Sequence, residues 1–220
     1  MNFLSQLENG IFASKKDLEK FSKNENAKIL VISDSHGAKE TFLSIVQTFG
    51  SKADALIFAG DGIFDLLFVI EKAKNHFSTA SWLPPVIAFV KGNNDPSFCS
   101  ADFSKDIIVP PKITMQAGKR TILVSHGHSE GVYYDYSAVQ ATAQVFGADT
   151  AIFGHTHVPA ELMGTTYIMN PGSIFLPRHR SSAGFAMLEI TGKNISSIFY
   201  RIENGQKPEF IPYHPEQFYG

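Results

Sequence analysis

The hydrophobic positions of this chain fall into short unbroken runs, each closed by glycine and polar residues. Ile29-Leu30-Val31-Ile32 leads into Ser33-Asp34-Ser35-His36, and Ala55-Leu56-Ile57-Phe58-Ala59 leads into Gly60-Asp61. Val86-Ile87-Ala88-Phe89-Val90 is followed by Gly92-Asn93-Asn94-Asp95, and Thr121-Ile122-Leu123-Val124 by Ser125-His126-Gly127-His128. Ala151-Ile152-Phe153 ends in Gly154-His155-Thr156-His157. Short apolar runs bounded by turns predict strands covered on both faces. Helix-like stretches lie between them, at about 39–50, 64–76 and 137–147. Strands alternating with helices predict an α/β domain with a largely parallel sheet, whose ligands gather outside the carboxyl ends of the strands. Metal-capable residues follow every run, so five loops are expected to converge on one place.

The flanks read differently. Phe3, Leu4, Leu7, Ile11 and Phe12 recur at roughly helical spacing before a polar stretch at 20–26, so residues 1–26 predict an N-terminal extension, an amphipathic helix plus linker. The main domain is expected over 27–203. Near its end, the segments 184–190 and 195–201 flank Gly192-Lys193-Asn194 and predict a β-hairpin. Residues 204–220, with three prolines and two tyrosines, read as an irregular C-terminal tail.

Composition narrows the function classes. At 220 residues, 44% hydrophobic and 18% charged, the chain fits one ordinary globular domain. A net charge of −2 gives no broad attraction to nucleic acid or an anionic membrane, and no Lys/Arg cluster is interleaved with aromatics, which argues against a nucleic-acid polymer as substrate. Cys99 is the single cysteine, so no intrachain disulfide forms, which suits a reducing compartment. The first residues lack the basic and apolar regions of a signal peptide, and no apolar stretch approaches the roughly 18 residues of a membrane span. A cytoplasmic location is expected.

Singly, the polar motifs carry little. Asp-x-His arises by chance in roughly a third of chains of this composition, and Gly-His-x-His in roughly one in fifty. An isolated strand-end Asp34 or Asp61 usually caps a helix, Asn93 suits an ordinary turn, and His126, His155 and His157 are each explicable as strand-end or loop polar groups. The ordered set, each member directly after a run, is far less easily accidental. Its chemistry is coherent: two divalent cations held close together need a shared anion, which a carboxylate such as Asp61 supplies, and neutral imidazoles complete the shells. Mixed Asp, Asn and His donors suit Mn²⁺, Fe²⁺, Zn²⁺ or Ni²⁺ better than Mg²⁺ or Ca²⁺.

At these residues the chain resembles the calcineurin-like metallophosphoesterase superfamily, and more narrowly the small bacterial and archaeal phosphodiesterases of the YfcE type. The stretch Asn170-Pro171-Gly172-Ser173 with Leu176-Pro177-Arg178 is similar to one those proteins carry. The resemblance spans about residues 28–202. It implies a four-layer αββα sandwich of two mixed β-sheets flanked by helices, rather than a doubly wound sheet. It implies two divalent metal ions, Mn²⁺ foremost. Asp34, His36 and His157 would hold the first, Asn93, His126 and His155 the second, and Asp61 would bridge them. The activity implied is hydrolysis of phosphodiesters by in-line attack of a metal-bridging hydroxide.

Two departures matter. Many superfamily members carry His after the metal-binding Asn and use it to protonate the leaving group; here the position is Asn94, as in the YfcE-type proteins, which also lack that His. His128 then becomes a candidate acid by position, beside a supporting role, and Asp95 is expected to orient the loop or a ligand imidazole. The other departure is residues 1–26, which have no family counterpart. The expected partner is a small phosphodiester, nucleotide-derived substrates among them, with no membrane; a homo-oligomer is left open. The competing class is a protein-interaction module that keeps the fold without useful catalysis, as in the eukaryotic retromer subunit of similar fold. The complete set of seven ligands weighs against it.

Overall fold

Alternation along each buried run sets the architecture. In the strand that begins the domain, Leu30 and Ile32 face one way and Ile29 and Val31 the other, and all four are fully buried. A strand with two buried faces needs a layer on each side, and the computed structural model shows both. It describes residues 5–8, 10–74, 81–100, 106–133, 135–203 and 207–215.

The chain opens with β1 (Ser5–Glu8), β2 (Ile11–Ala13) and α1 (Lys15–Ser22). β3 (Asn26–Ile32), α2 (Lys39–Phe49), β4 (Ala55–Phe58), α3 (Ile63–Lys74) and β5 (Val86–Phe89) follow. Then come β6 (Phe98–Ser100), β7 (Asp106–Ile108), β8 (Lys112–Ala117), β9 (Arg120–Ser125), α4 (Ser137–Val145) and β10 (Thr150–Ile152). β11 (Ala160–Leu162), β12 (Tyr167–Asn170), β13 (Gly184–Thr191), β14 (Asn194–Glu203) and β15 (Glu209–Tyr213) complete it.

One sheet has the order β1-β2-β5-β4-β3-β13-β14-β15, and the second β11-β12-β10-β9-β8; β6 and β7 form a separate ribbon. Both sheets are mixed: β3, β4 and β5 run parallel, as do β9, β10 and β12, with antiparallel strands on either side. Ile29, Val31, Ile57 and Ala88 from the first sheet meet Ile122, Val124, Ile152 and Met169 from the second in one core. The outer face of the first sheet, with Leu30, Phe58 and Phe89, packs on Phe42 and Ile45 of α2 and Leu66 and Ile70 of α3. Leu123, Ala151 and Ile168 pack on Val139 and Ala143 of α4. The result is the four-layer αββα sandwich with two mixed sheets. The five strand-end loops therefore come from two sheets rather than one.

Both flanks differ from the sequence expectation. Where an amphipathic helix was expected over the apolar positions up to Phe12, the described residues form the β1–β2 hairpin, and β2 pairs antiparallel with β5. Ile11 and Phe12 point to opposite faces of the sheet, one into the inter-sheet core and one toward the helices, so a period of two underlies what resembles a helical spacing. Phe3 and Leu4 lie outside the described residues. The helix comes later, at α1, which runs into the polar stretch at 20–26 read as linker; Ser14 caps it by accepting from the Asp17 backbone N–H at 3.1 Å. At the other end the expected tail contains β15, whose five residues all pair with β14.

Candidate metal centre

The loops after β3, β4, β5, β9 and β10 interlock at the carboxyl ends of the strands. The Asp34 backbone N–H donates to Gly60 O (2.9 Å), His36 to Asp61 O (3.2 Å), and Gly154 to His126 O (3.0 Å). Such close crossing leaves no room for side chains at certain positions: a Cβ on Gly92 would overlap Asp61 Oδ1.

Among the described residues, seven other than glycine adopt left-handed backbone angles: Asp34, His36, Asp61, His155, His157, His179 and Arg180. Five of them belong to the seven-residue set read from the sequence. Such angles cost on the order of 1–3 kcal/mol each and persist only where the surroundings over-determine them. Here they aim side chains from three loops at one volume.

Two groups of donor atoms result. Asp34, His36 and His157 form one and Asp34, Asp61 and His126 the other, with the atoms of each group within 4.8 Å of one another. Asp61 Oδ2 faces both groups, 3.6 Å from His36 Nε2 and 3.4 Å from His126 Nε2. Asn93 Oδ1 lies 3.2 Å from His126 Nε2. His155 stands in neither group; its ring is 5.1 Å from that of His126, and its backbone N–H donates to Asp34 Oδ2 at 3.0 Å. The structure thus gathers six of the seven donor side chains tightly and sets the His155 ring beside them.

The electrostatics fit cations. Asp34 Oδ1 is buried and has no hydrogen-bond partner, an unmet acceptor of a kind folded proteins rarely tolerate. It lies 3.2 Å from His157 Nε2. His157 Nδ1 donates to Leu176 O and His126 Nδ1 to Ala59 O, each at 2.7 Å, which turns each Nε2 inward, where a neutral ring offers its lone pair to a cation. His36 Nε2 and His157 Nε2 face each other at 3.2 Å, close enough to share one cation. Burial pushes the Asp61 carboxyl toward a higher pKa, but hydrogen bonds and charge from His126 and the two Asn94 donors outweigh it and hold it well below the usual range. Burial likewise opposes charge on His126, yet Asp61 and Asp34 raise its pKa above 6.5. The arrangement therefore draws positive charge. His155 goes the other way: burial and the nearby His126 lower it to about 4, so it is neutral at physiological pH.

A family model for the calcineurin-like phosphoesterase superfamily domain matches residues 27–193, which contain every one of these residues. The chain belongs to that superfamily. It is similar to the probable metallophosphoesterase YsnB of Bacillus subtilis, with 32% identity over 173 residues covering 78% of this chain and 89% of the relative. It is also similar to phosphodiesterase YfcE of Escherichia coli, with 25% identity over 179 residues covering 74% and 87%. Among solved structures, Vps29 of Entamoeba histolytica, determined in complex with Zn²⁺, superposes with a TM-score of 0.59 over 84% of this chain and 98% of that one; at 21% identity this likeness speaks for the fold.

The remaining sequence candidates in this phosphoesterase take distinct places. Asp95 accepts backbone N–H groups from Asp61 (2.7 Å), Gly62 and Ile63 (2.9 Å each) and Gly92 (3.0 Å), so it ties two loops together and caps α3. It orients the loops, and no ligand imidazole touches it. Asn94 turns its amide onto Asp61. His128 is exposed, its ring 5.5 Å from His126 and 6.0 Å from His155; burial and the charge of His126 lower its pKa.

Several residues have supporting roles that sequence reasoning did not assign, Asn170 and Ser173 of the family-like stretch among them. Asn170 Nδ2 donates to Gly154 O (2.7 Å) and Thr156 Oγ1 (2.9 Å), fixing the loop that carries His155 and His157. Ser173 Oγ donates to Asp34 O at 2.7 Å. Buried Asp65 accepts from Ser35 Oγ (2.6 Å) and the Gly37 N–H (2.8 Å). A lone carboxylate among Ile63, Phe64, Leu66 and Leu67 was the available signal for Asp65.

Proposed function

We propose that this phosphoesterase is a phosphodiesterase working through a dinuclear metal centre on small diesters, with manganese the foremost metal and the reducing cytoplasm its setting. Asp34, His36 and His157 would hold one ion, Asn93, His126 and His155 the other, and Asp61 both. Divalent cations there would supply hydroxide at neutral pH and neutralise charge on the phosphoryl oxygens. The protein's own part is to hold that constellation: Asp95 fixes the two loops, and Asn170 and Ser173 hold the two carrying Asp34, His155 and His157. His155, neutral at physiological pH, needs no deprotonation before it ligates.

The observation that carries the diester reading is the Asn94–Asp61 pair. Where a general acid would stand, Asn94 commits its amide to Asp61 and has no proton to give a departing alkoxide. His128, with its lowered pKa, is a weak reservoir of protons at pH 7. A general acid is typically worth about 10²–10⁴-fold, so simple alkyl monoesters should turn over slowly and diesters with good leaving groups well.

Hydrolysis of bis-p-nitrophenyl phosphate against p-nitrophenyl phosphate, with manganese and with chelator, tests this in wild type and Asp61→Ala. Manganese-dependent turnover that favours the diester and vanishes in Asp61→Ala supports it. Folded, metal-loaded protein inert with every divalent metal would instead support the interaction module. The fold shared with Vps29 favours that second reading; the backbone strain retained at five ligand positions opposes it.

A further inference from the structure

Two left-handed residues remain outside the donor set, His179 and Arg180, and both lie in the loop after Leu176. That loop hangs from His157. Leu176 O accepts from His157 Nδ1 (2.7 Å), and the Arg178 backbone N–H donates to His157 O (3.3 Å). Ser181 closes the turn, its N–H and Oγ both donating to Arg178 O at 3.0 and 2.6 Å. The strained turn thus projects Arg178 from a fixed point on the metal-site scaffold.

What Arg178 meets is Tyr133, from the loop after β9. Its guanidinium donates to the Tyr133 hydroxyl and sits 5.9 Å from the ring centroid, while that hydroxyl donates to His155 O at 3.1 Å. The Tyr133 ring lies 4.8 Å from the His155 ring. A guanidinium has five donors in a planar fork. Among the described residues, the side chain of Arg178 has no carboxylate partner and no other hydrogen bond. The cation is exposed, yet braced by two neighbouring loops, which removes much of the ordering cost of binding through a long side chain. An arginine serving only the fold would pair with one of the chain's acids. One serving the phosphoryl group to be cleaved would not have an aromatic ring between itself and His155.

Resting on the diesterase reading above, we propose that Arg178, braced by Tyr133, receives a second phosphate on the substrate, one ring beyond the phosphoryl group to be cleaved. The preferred substrates are then diesters with one ester arm carrying a further phosphate. The remaining donors of Arg178 suit the oxygens of a phosphate in bidentate fashion.

A matched pair tests it: the p-nitrophenyl ester of thymidine 5′-phosphate with and without a 3′-phosphate, on the manganese-loaded full chain. Charge-assisted pairing predicts that the wild type favours the 3′-phosphorylated ester by about 10- to 100-fold in kcat/KM, chiefly through KM. Arg178→Ala should bring that ratio near one, with Arg178→Lys between. A wild-type ratio near one, or a ratio that Arg178→Ala leaves intact, overturns the assignment. Calorimetry with thymidine 3′,5′-bisphosphate and thymidine 5′-monophosphate separates the two readings. If neither ester turns over but the bisphosphate binds more tightly and loses that advantage in Arg178→Ala, the diesterase reading fails and the Arg178 site stands. Equal affinities, or no binding of either, overturn the site whatever the turnover.

Discussion

Asn94 donates to both carboxylate oxygens of Asp61, through its backbone N–H to Oδ1 at 2.8 Å and its side-chain amide to Oδ2 at 2.6 Å. The contact fixes the rotamer of a carboxylate that faces both donor groups, as Asp34 also does, and helps keep it ionised. It also spends, on positioning, the residue that stands where an acid would be most useful. Positioning and proton donation compete for the same site, and here positioning has won.

Asn94→His tests that exchange. A ring at this position can supply a proton but loses the amide's grip on Asp61. Even a small part of a general acid's usual contribution would shift the ratio of monoester to diester turnover upward by about 10-fold. The check is the ratio of kcat/KM for p-nitrophenyl phosphate and its bis ester at saturating manganese. A falling or constant ratio would place the leaving group elsewhere.

Asp95→Asn should damage the site through the fold. Its carboxylate accepts four backbone N–H groups, whereas an amide has one acceptor oxygen and turns two donors toward the rest. Leaving buried donors unsatisfied costs about 1–3 kcal/mol each, so a loss of roughly 2–4 kcal/mol, or about 5–10 °C in Tm, is expected. Scanning calorimetry of metal-free protein reads this directly, and a Tm within 2 °C of wild type would contradict the tie.

Manganese affinity should fall with acidification, and the two flanking imidazoles predict where. The folded pKa of His126 is raised above 6.5, so below its midpoint the cation must displace a proton from it, and affinity drops by up to tenfold per pH unit. His155, at about 4, is already neutral and contributes no such slope between pH 5 and 8. Equilibrium dialysis across that range should show affinity falling as pH drops through the His126 midpoint, and a flat profile would mean that His126 does not titrate there.

Asn170→Ala addresses a residue with no donor atom in the centre. Its amide holds Gly154 O and Thr156 Oγ1, and so the backbone between His155 and His157. Outer supports of metal ligands are typically worth about 10–100-fold in affinity. Manganese dialysis against wild type measures it, with circular dichroism to confirm folding; an unchanged affinity would reduce Asn170 to a loop residue.

Legibility in the sequence followed the physics of each part. The runs ending at Ile32, Ala59, Val90, Val124 and Phe153 could be read because strands buried on both faces leave an unbroken apolar signal. The donors were legible because they follow those runs directly. The second sheet was not derivable from periodicity: β8, β11 and β12 are short or half-exposed, and only the family resemblance implied two sheets. Asp65, Asn170 and Ser173 act on backbone atoms and single hydroxyls of other loops, which carry no periodic signature. The bridge that Tyr133 makes from Arg178 to His155 exists only in three dimensions.

The β1–β2 hairpin carries the remaining prediction. Phe12 is buried and stacks on Phe89 with ring centroids 4.9 Å apart, and β2 covers the edge of β5, the strand leading into Gly92-Asn93-Asn94-Asp95. Removing a buried phenylalanine typically costs about 3–5 kcal/mol, so Phe12→Ala should lower Tm by roughly 6–15 °C. Deletion of residues 1–25 should be worse, because it also strips an edge from β5 and invites aggregation. The ligands themselves are untouched, so kcat for the diester at 20 °C, well below the transition, should stay within about threefold of wild type for Phe12→Ala. A Tm change under 2 °C would mean the hairpin is loosely attached. A large fall in kcat with little change in Tm would mean that β2 positions the Asn93 loop directly.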